Sequence, residues 1–232
     1  MVFTNFSSGH RPSLRPGPVA PGEIVKVRGR GFGPLAGQGY QLSPDGRVTT
    51  DLGTLRLLFD GVPAPILSAA PGQLCAVVPY GLDGKSASRV ELEYQSDRSQ
   101  AVELAVIKAN PAFFSAALNQ DNTQNSIENP APIASIVTVF GTGEGQTIPP
   151  GVDGKLGDGE LPTPAQPVVV TIGGYPAEVL YVGGAPGQVA GVFQVNARIP
   201  ASVSPGNAVP VGISVGNHFS QSEMTIAVSR QR

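Results

Sequence analysis

"GEIVKVRGRGFG" at Gly22–Gly33 and "ASIVTVFGTGEG" at Ala134–Gly145 decide how this chain is read. Each is a short apolar run that ends in three glycines at every second position. Gly29, Gly31 and Gly33 align with Gly141, Gly143 and Gly145 at a shift of 112 residues. Working outward, "FDGVPAPIL" (Phe59–Leu67) matches "IGGYPAEVL" (Ile172–Leu180) at a shift of 113. "APGQ" recurs at Ala70 and Ala185, a shift of 115, and "VELEY" (Val90–Tyr94) matches "VGISV" (Val211–Val215) at 121. A shift that only grows is what two copies of one unit give when their loops lengthen. The expectation is an internal duplication, with one domain over residues 1–110 and a second over 111–232.

Between the turns the chain alternates with period two, the pattern of a half-buried strand. In "FQVNARI", Phe193, Val195, Ala197 and Ile199 would face a core, and Gln194, Asn196 and Arg198 water. "VELEY" would bury Val90, Leu92 and Tyr94 and expose Glu91 and Glu93. "VELAV" would bury Val102, Leu104 and Val106, and "MTIAV" Met224, Ile226 and Val228. Turn clusters such as "SPDG", "LDGK" and "SPGN" separate these runs, and no window carries a helical stripe. Thirty glycines and 23 prolines bring the chain near the disordered range, but 41% hydrophobic residues in alternating runs supply a core. The fold class expected is all-β: two tandem β-sandwiches of roughly 110 residues each, a size suited to immunoglobulin-like domains.

The glycine stretch allows a phosphate loop, an Arg-Gly nucleic-acid patch or a turn. A phosphate loop ends in Gly-Lys-Ser/Thr and opens a helix; the first copy runs instead into "PLAGQG" and the second into "QTIPPG". Arg28 and Arg30 beside Phe32 form the one tight basic pair, and 15 basic residues scattered among 17 acids give no basic face. In the second copy Thr142 and Glu144 stand in for Arg30 and Phe32, so only the glycine spacing repeats. Positive φ or close packing at a strand end explains that spacing, which makes Gly29, Gly31, Gly33, Gly141, Gly143 and Gly145 structural turn residues.

"IVKVRGRGFG" is similar to the signature of IPT/TIG domains, immunoglobulin-like modules whose first strand ends in a Gly-x-Gly-aromatic-Gly turn. The chain as a whole resembles an uncharacterised C-terminal domain family of large secreted acidobacterial proteins. The segments that carry this are "PVAPGEIVKVRGRGFGP", "APGQLCAVVP", "ALNQDNTQNSIENPAPIASIVTVFGTGEG", "VVVTIGGYPAEVLYVGGAPGQVAGVFQVNARIP" and "GNAVPVGISVG". The resemblance implies an extracellular, non-catalytic setting and carries no functional residues. The first copy is the more divergent, with an insertion-like stretch "AGQGYQLSPDGRVTTDLGT" (Ala36–Thr54).

Candidate sites are few. "GISVG" (Gly212–Gly216) matches the nucleophile-elbow pattern around Ser214, but that motif needs a strand, a sharp turn and a helix, and Ser214 falls on the outward face of a strand. His218 is too near in sequence to be its distant partner. "GVDGKLGDGE" offers Asp153, Asp158 and Glu160 as a weak calcium candidate, against a plain solvated connection between strands. His10 and His218 are the only histidines, in polar surroundings without a ligand cluster. Cys75, the single cysteine, sits in the apolar run "LCAVV" and reads as a small buried hydrophobe.

Tyr40, Tyr80, Tyr175 and Tyr181 fall near loops or strand ends, and Tyr175 and Tyr181 are the choices for a ligand-facing surface. "PAFFS", with Phe113 and Phe114, reads as packing between the domains, which join near Asn110-Pro111. Residues Asn125 to Pro130 would open the second sandwich, as Asn5-Phe6-Ser7 would open the first.

No stretch approaches the ~20 apolar residues of a membrane helix. The opening sixteen residues lack the apolar core of a signal peptide, which fits either a cytoplasmic protein or an exported one whose signal lies outside this chain; composition does not separate the two. The expectation is a non-enzymatic structural or adhesion module, secreted or at the cell surface, with no cofactor. Its partners would be protein or polysaccharide, with no nucleic acid and no membrane span. The alternatives are a polysaccharide-binding accessory module and a self-associating filament subunit, in which the first twenty residues donate a strand to a neighbour.

Overall fold

The computed structural model describes residues 2–5, 17–220 and 224–230. His10 and residues 6–16 of the proposed donor segment lie outside the described residues. The fold is all-β; among the described residues the one helical element is a single 3-10 turn at Tyr80–Leu82. None of them forms a helix long and apolar enough to cross a membrane.

The N-terminal half contains β1 (Val2–Asn5), β2 (Ile24–Arg28), β3 (Gln38–Gly39), β4 (Arg56–Phe59) and β5 (Val62–Pro63). It continues with β6 (Ile66–Ala70), β7 (Gln73–Val77), β8 (Ala87–Tyr94), β9 (Asp97–Arg98) and β10 (Val102–Ala105). One sheet runs β1-β2-β7-β6-β3, and the other β10-β8-β4-β5 with β9 on β8. Alternation along each strand sends one face inward. Val25, Val27, Leu74 and Ile66 from the first sheet meet Leu57, Phe59, Val90 and Leu104 from the second in one buried cluster.

The C-terminal half opens with β11 (Ala112–Asn119), β12 (Ala131–Pro132), β13 (Ile136–Thr142), β14 (Thr147–Ile148) and β15 (Thr163–Pro164). Next come β16 (Val168–Ile172), β17 (Tyr175–Pro176), β18 (Glu178–Gly184), β19 (Phe193–Arg198), β20 (Gly206–Val215), β21 (His218–Phe219) and β22 (Thr225–Ser229). Its sheets run β11-β13-β19-β18 and β12-β22-β20-β16-β17, with β21 on β20 and a separate β14–β15 ribbon. Val137, Val139, Phe193 and Val195 pack against Val170, Ile213, Val215 and Ile226 in a second cluster. The orders β1-β2-β7-β6 and β10-β8-β4-β5 of the N-terminal half are matched by β11-β13-β19-β18 and β22-β20-β16-β17, whereas β3 pairs with β6 in the first half and β14–β15 stands apart in the second. Even the parallel pairing of β12 with β22 has a counterpart in the parallel bridge between Val19 and Val106.

Several details differ from the sequence reading. Glu91 is nearly buried rather than exposed, and Arg89 and Arg98 bring guanidinium groups to 3.1 and 3.8 Å of it. Strand pairing in the C-terminal half begins at Ala112, ahead of Asn125–Pro130, with β11 pairing β13 through a register shift between Phe113 and Ala117. Phe113 is buried in the C-terminal core, 6.1 Å from the Phe193 ring, whereas Phe114 packs into a third cluster between the halves. The stretch Ala36–Thr54 has a counterpart of similar length, since residues 29–55 join β2 to β4 and residues 143–167 join β13 to β16. His218 lies in a short strand, and Tyr80 is buried. Cys75, by contrast, is buried in β7 as its apolar run implies.

Candidate functional site

Gly29 follows the end of β2 at Arg28, whereas Gly141 and Thr142 are the last residues of β13, and the two glycine stretches meet different surroundings. Gly31 and Gly33 have φ of +77° and +91°, and Gly143 and Gly145 +84° and +78°. After β2, Gly29 to Gly31 are exposed and Phe32 folds into the core. At the end of β13, Gly141 to Gly145 are all buried, because this stretch sits where the two halves meet. A Cβ on Gly143 would run into the Asn110 carbonyl, so the chain between the halves lies directly on this turn.

The two substituted positions of the turn carry the junction. Thr142 is fully buried; its Oγ1 accepts the Ile24 N–H at 2.8 Å and donates to the Gly22 carbonyl at 3.4 Å. Glu144 is 3% exposed, and its Oε1 accepts the Tyr80 hydroxyl at 3.4 Å. The Tyr80 ring lies between Gly22 and Gly151, at both of which a Cβ would collide with it. Its backbone N–H donates to Asp153 Oδ1 at 2.9 Å, and nearby the Val48 N–H donates to the Gly154 carbonyl at 2.8 Å. Glu23, 1% exposed, accepts the Ala20 N–H at 2.8 Å and the Asn110 Nδ2 at 3.1 Å. Around these polar links Ile24, Val48 and Val77 of the first half pack on Val189 of the second, flanked by Leu67, Phe114, Leu156 and Val192.

Burial dominates the electrostatics. Removing a carboxylate from water favours its neutral form, and both Glu23 and Glu144 are pushed up to about 8 by this effect. The donors from Ala20 and Asn110 to Glu23, and from its own backbone N–H and then Tyr80 to Glu144, pull back only part of the way. Burial also raises Asp153, against the Tyr80 N–H, and raises Tyr80 well above the ordinary phenol value, with the Glu144 charge adding to it. Glu144 Oε2 is buried with no hydrogen-bond partner.

Glu144 and Tyr80 also line a cleft of about 170 Å³. Its walls are mainly apolar, from Pro149, Pro150, Leu156, Leu161, Pro162 and Val192. The other charged residues on its lining are Lys155, Asp158 and Glu160, with Lys155 Nζ 3.7 Å from Asp158. A mainly apolar concavity with a few convergent polar groups is the usual form of a small-ligand site.

The residues singled out from sequence are not gathered into one site. Asp153 turns to Tyr80, while Asp158 and Glu160 are exposed beside the cleft. Among the described residues no three His, Cys, Asp or Glu side chains group closely enough to hold a metal. The segment Gly151–Glu160 is more than a solvated connection, since its first part is built into the junction. Tyr175 is exposed at the β16–β17 hairpin, whereas Tyr181, in the other sheet, donates its hydroxyl to the Gly184 carbonyl at 2.7 Å. Ser214 lies in mid-strand between Val169 and Phe219, without the turn and helix of a nucleophile elbow. Nothing in the sequence marks Glu23, Tyr80, Thr142 and Glu144 as site residues beyond the exchange of Arg30 and Phe32 for Thr142 and Glu144 within the recurring glycine pattern. No protein-family model matches the chain, and no curated protein matches it.

Proposed function

We propose that this chain is a non-enzymatic extracellular structural or adhesion module, built of two tandem immunoglobulin-like sandwiches that arose by internal duplication and act as one stiff unit. The observation that carries the reading is the junction. Thr142, Tyr80, Glu23 and Asn110 hydrogen-bond across it or beside it, and the Ile24–Val48–Val77–Val189 cluster closes it. A module that sets a distance between two attachments needs such a joint, because a flexible linker would let the halves reorient freely. The recurrent strand order and the quoted family resemblance support the duplication and the extracellular setting.

Small-angle scattering of the intact chain is expected to fit one fixed arrangement of the halves. Fractionation of producing cells with an antibody is expected to find the chain outside the cytoplasmic membrane. Scattering that demands an ensemble of orientations, or a purely cytoplasmic pool, overturns the proposal.

Two other readings each rest on one observation. Val2–Asn5 pairs with β2 of its own sheet over only four residues, a place that a neighbour's strand could take in a filament. Particles seen in negative stain would decide that. Polysaccharide binding rests on exposed Tyr175, and retention on insoluble glycan that Tyr175→Ala abolishes would favour it.

A further inference from the structure

The junction leaves one polar atom unexplained. Glu144 Oε2 is buried and unpartnered, although the same residue lines an open cleft. A buried carboxyl oxygen without a donor is costly, and such groups commonly mark where something else completes the site. The cleft's own composition says what would complete it. Its carboxyl groups, Glu144, Asp158 and Glu160, outnumber its one base, Lys155, which is drawn towards Asp158. The remaining walls are mostly proline and aliphatic side chains.

The exposed Asp158 and Glu160 would repel an anion, and a neutral apolar guest would leave Oε2 bare. A group with a cationic nitrogen on a hydrocarbon stem satisfies both features, since an ammonium carries three donors and the stem takes the walls. We propose that this cleft binds an alkylammonium group, with Glu144 as its counter-ion and the Tyr80 hydroxyl beside it. The group is carried either by a free aliphatic amine or by a lysine side chain of a partner chain.

Size sets the stem. A cavity of about 150 Å³ holds benzene, so the cleft's roughly 170 Å³ takes a stem of roughly four to six carbons.

The proton balance follows from burial. Glu144 is protonated in the empty site at neutral pH, the amine arrives already as ammonium, and Glu144 gives one proton to solvent as the ion pair forms. The titratable and charged groups near it are Tyr80, Asp153, Lys155, Asp158 and Glu160. Of these, Tyr80 stays protonated through the neutral range.

The test is isothermal titration calorimetry on the intact chain, with n-pentylammonium chloride, n-pentanol and a blocked lysine amide as probes. Pentylammonium is expected to bind at one site at least tenfold more tightly than pentanol. Its affinity is expected to rise about tenfold per pH unit from pH 6 to 7.5, because binding releases a proton. Glu144→Gln is expected to abolish the preference for the cation. Should that variant not fold, the pH slope of the unaltered chain still decides. Tighter binding of the lysine amide than of pentylammonium assigns the site to a partner's lysine, and the reverse order assigns it to a free amine. Equal affinity for pentanol and pentylammonium, a pH-independent affinity, or no binding of any probe overturns the proposal.

Discussion

Glu144 aligns in sequence with Phe32 of the stretch after β2, and both side chains are buried. The phenylalanine needs only contacts, while a buried carboxyl must lose its charge or find donors. Glu144 and Glu23 take the first course and stay neutral to about pH 8, whereas in the unfolded chain both ionise near 4.5. Between those values the folded chain holds protons that the unfolded chain has released, so stability falls as pH rises. The stabilising contribution is whole below about pH 4.5 and is lost as pH climbs through about 8. Carboxyls held low, such as Asp60 beside Lys85 and Asp121 beside Thr123, titrate below this window and do not mask it. Calorimetry is expected to show Tm falling from pH 5 to pH 8.5, and a Glu23→Gln, Glu144→Gln double variant is expected to flatten the curve. An unchanged slope in that variant would trace the fall to other groups.

At the scale of the element, the repeated turn offers a controlled comparison. Gly31 and Gly143 share left-handed backbone, but a Cβ on Gly31 would meet open space and one on Gly143 would meet the Asn110 carbonyl. Gly31→Ala should therefore cost only the left-handed penalty of about 1–2 kcal/mol. Gly143→Ala adds a backbone collision, and about 3 kcal/mol or more is expected. Urea unfolding of the two variants checks the difference; equal losses would show that the junction does not press on the turn. Strand β19 makes a second case, because Phe193 is buried against Phe113 and its ring lies close to Gly141. Phe193→Ala is expected to lower stability by about 3–5 kcal/mol, whereas Gln194→Ala on the other face should stay within about 0.5 kcal/mol.

Across the whole molecule, the sequence was most legible where one strand face meets a core, as from Phe193 to Ile199, since period-two burial is written into every residue. It was least legible where two distant segments meet. The register shift at Phe113 hides the strand character of "AFFSAALN". The role of Thr142 depends on Ile24, 118 positions away, which the alignment of copies does not relate to it. The exchange of Phe32 for Glu144 was visible, but the surface it faces was not. The same long-range contacts should govern how the molecule unfolds. Each half has its own core, and the third cluster couples them through Val189 against Ile24, Val48 and Val77. With the coupling intact, differential scanning calorimetry should show one transition. Val189→Asp places an unpaired charge in that cluster while leaving both cores whole, and a buried charge without a partner is strongly unfavourable. The junction should open, and the single transition should split into two, one for each half. A single transition that merely moves to lower temperature would mean that the halves do not fold as separable units, and the two-domain reading would fail.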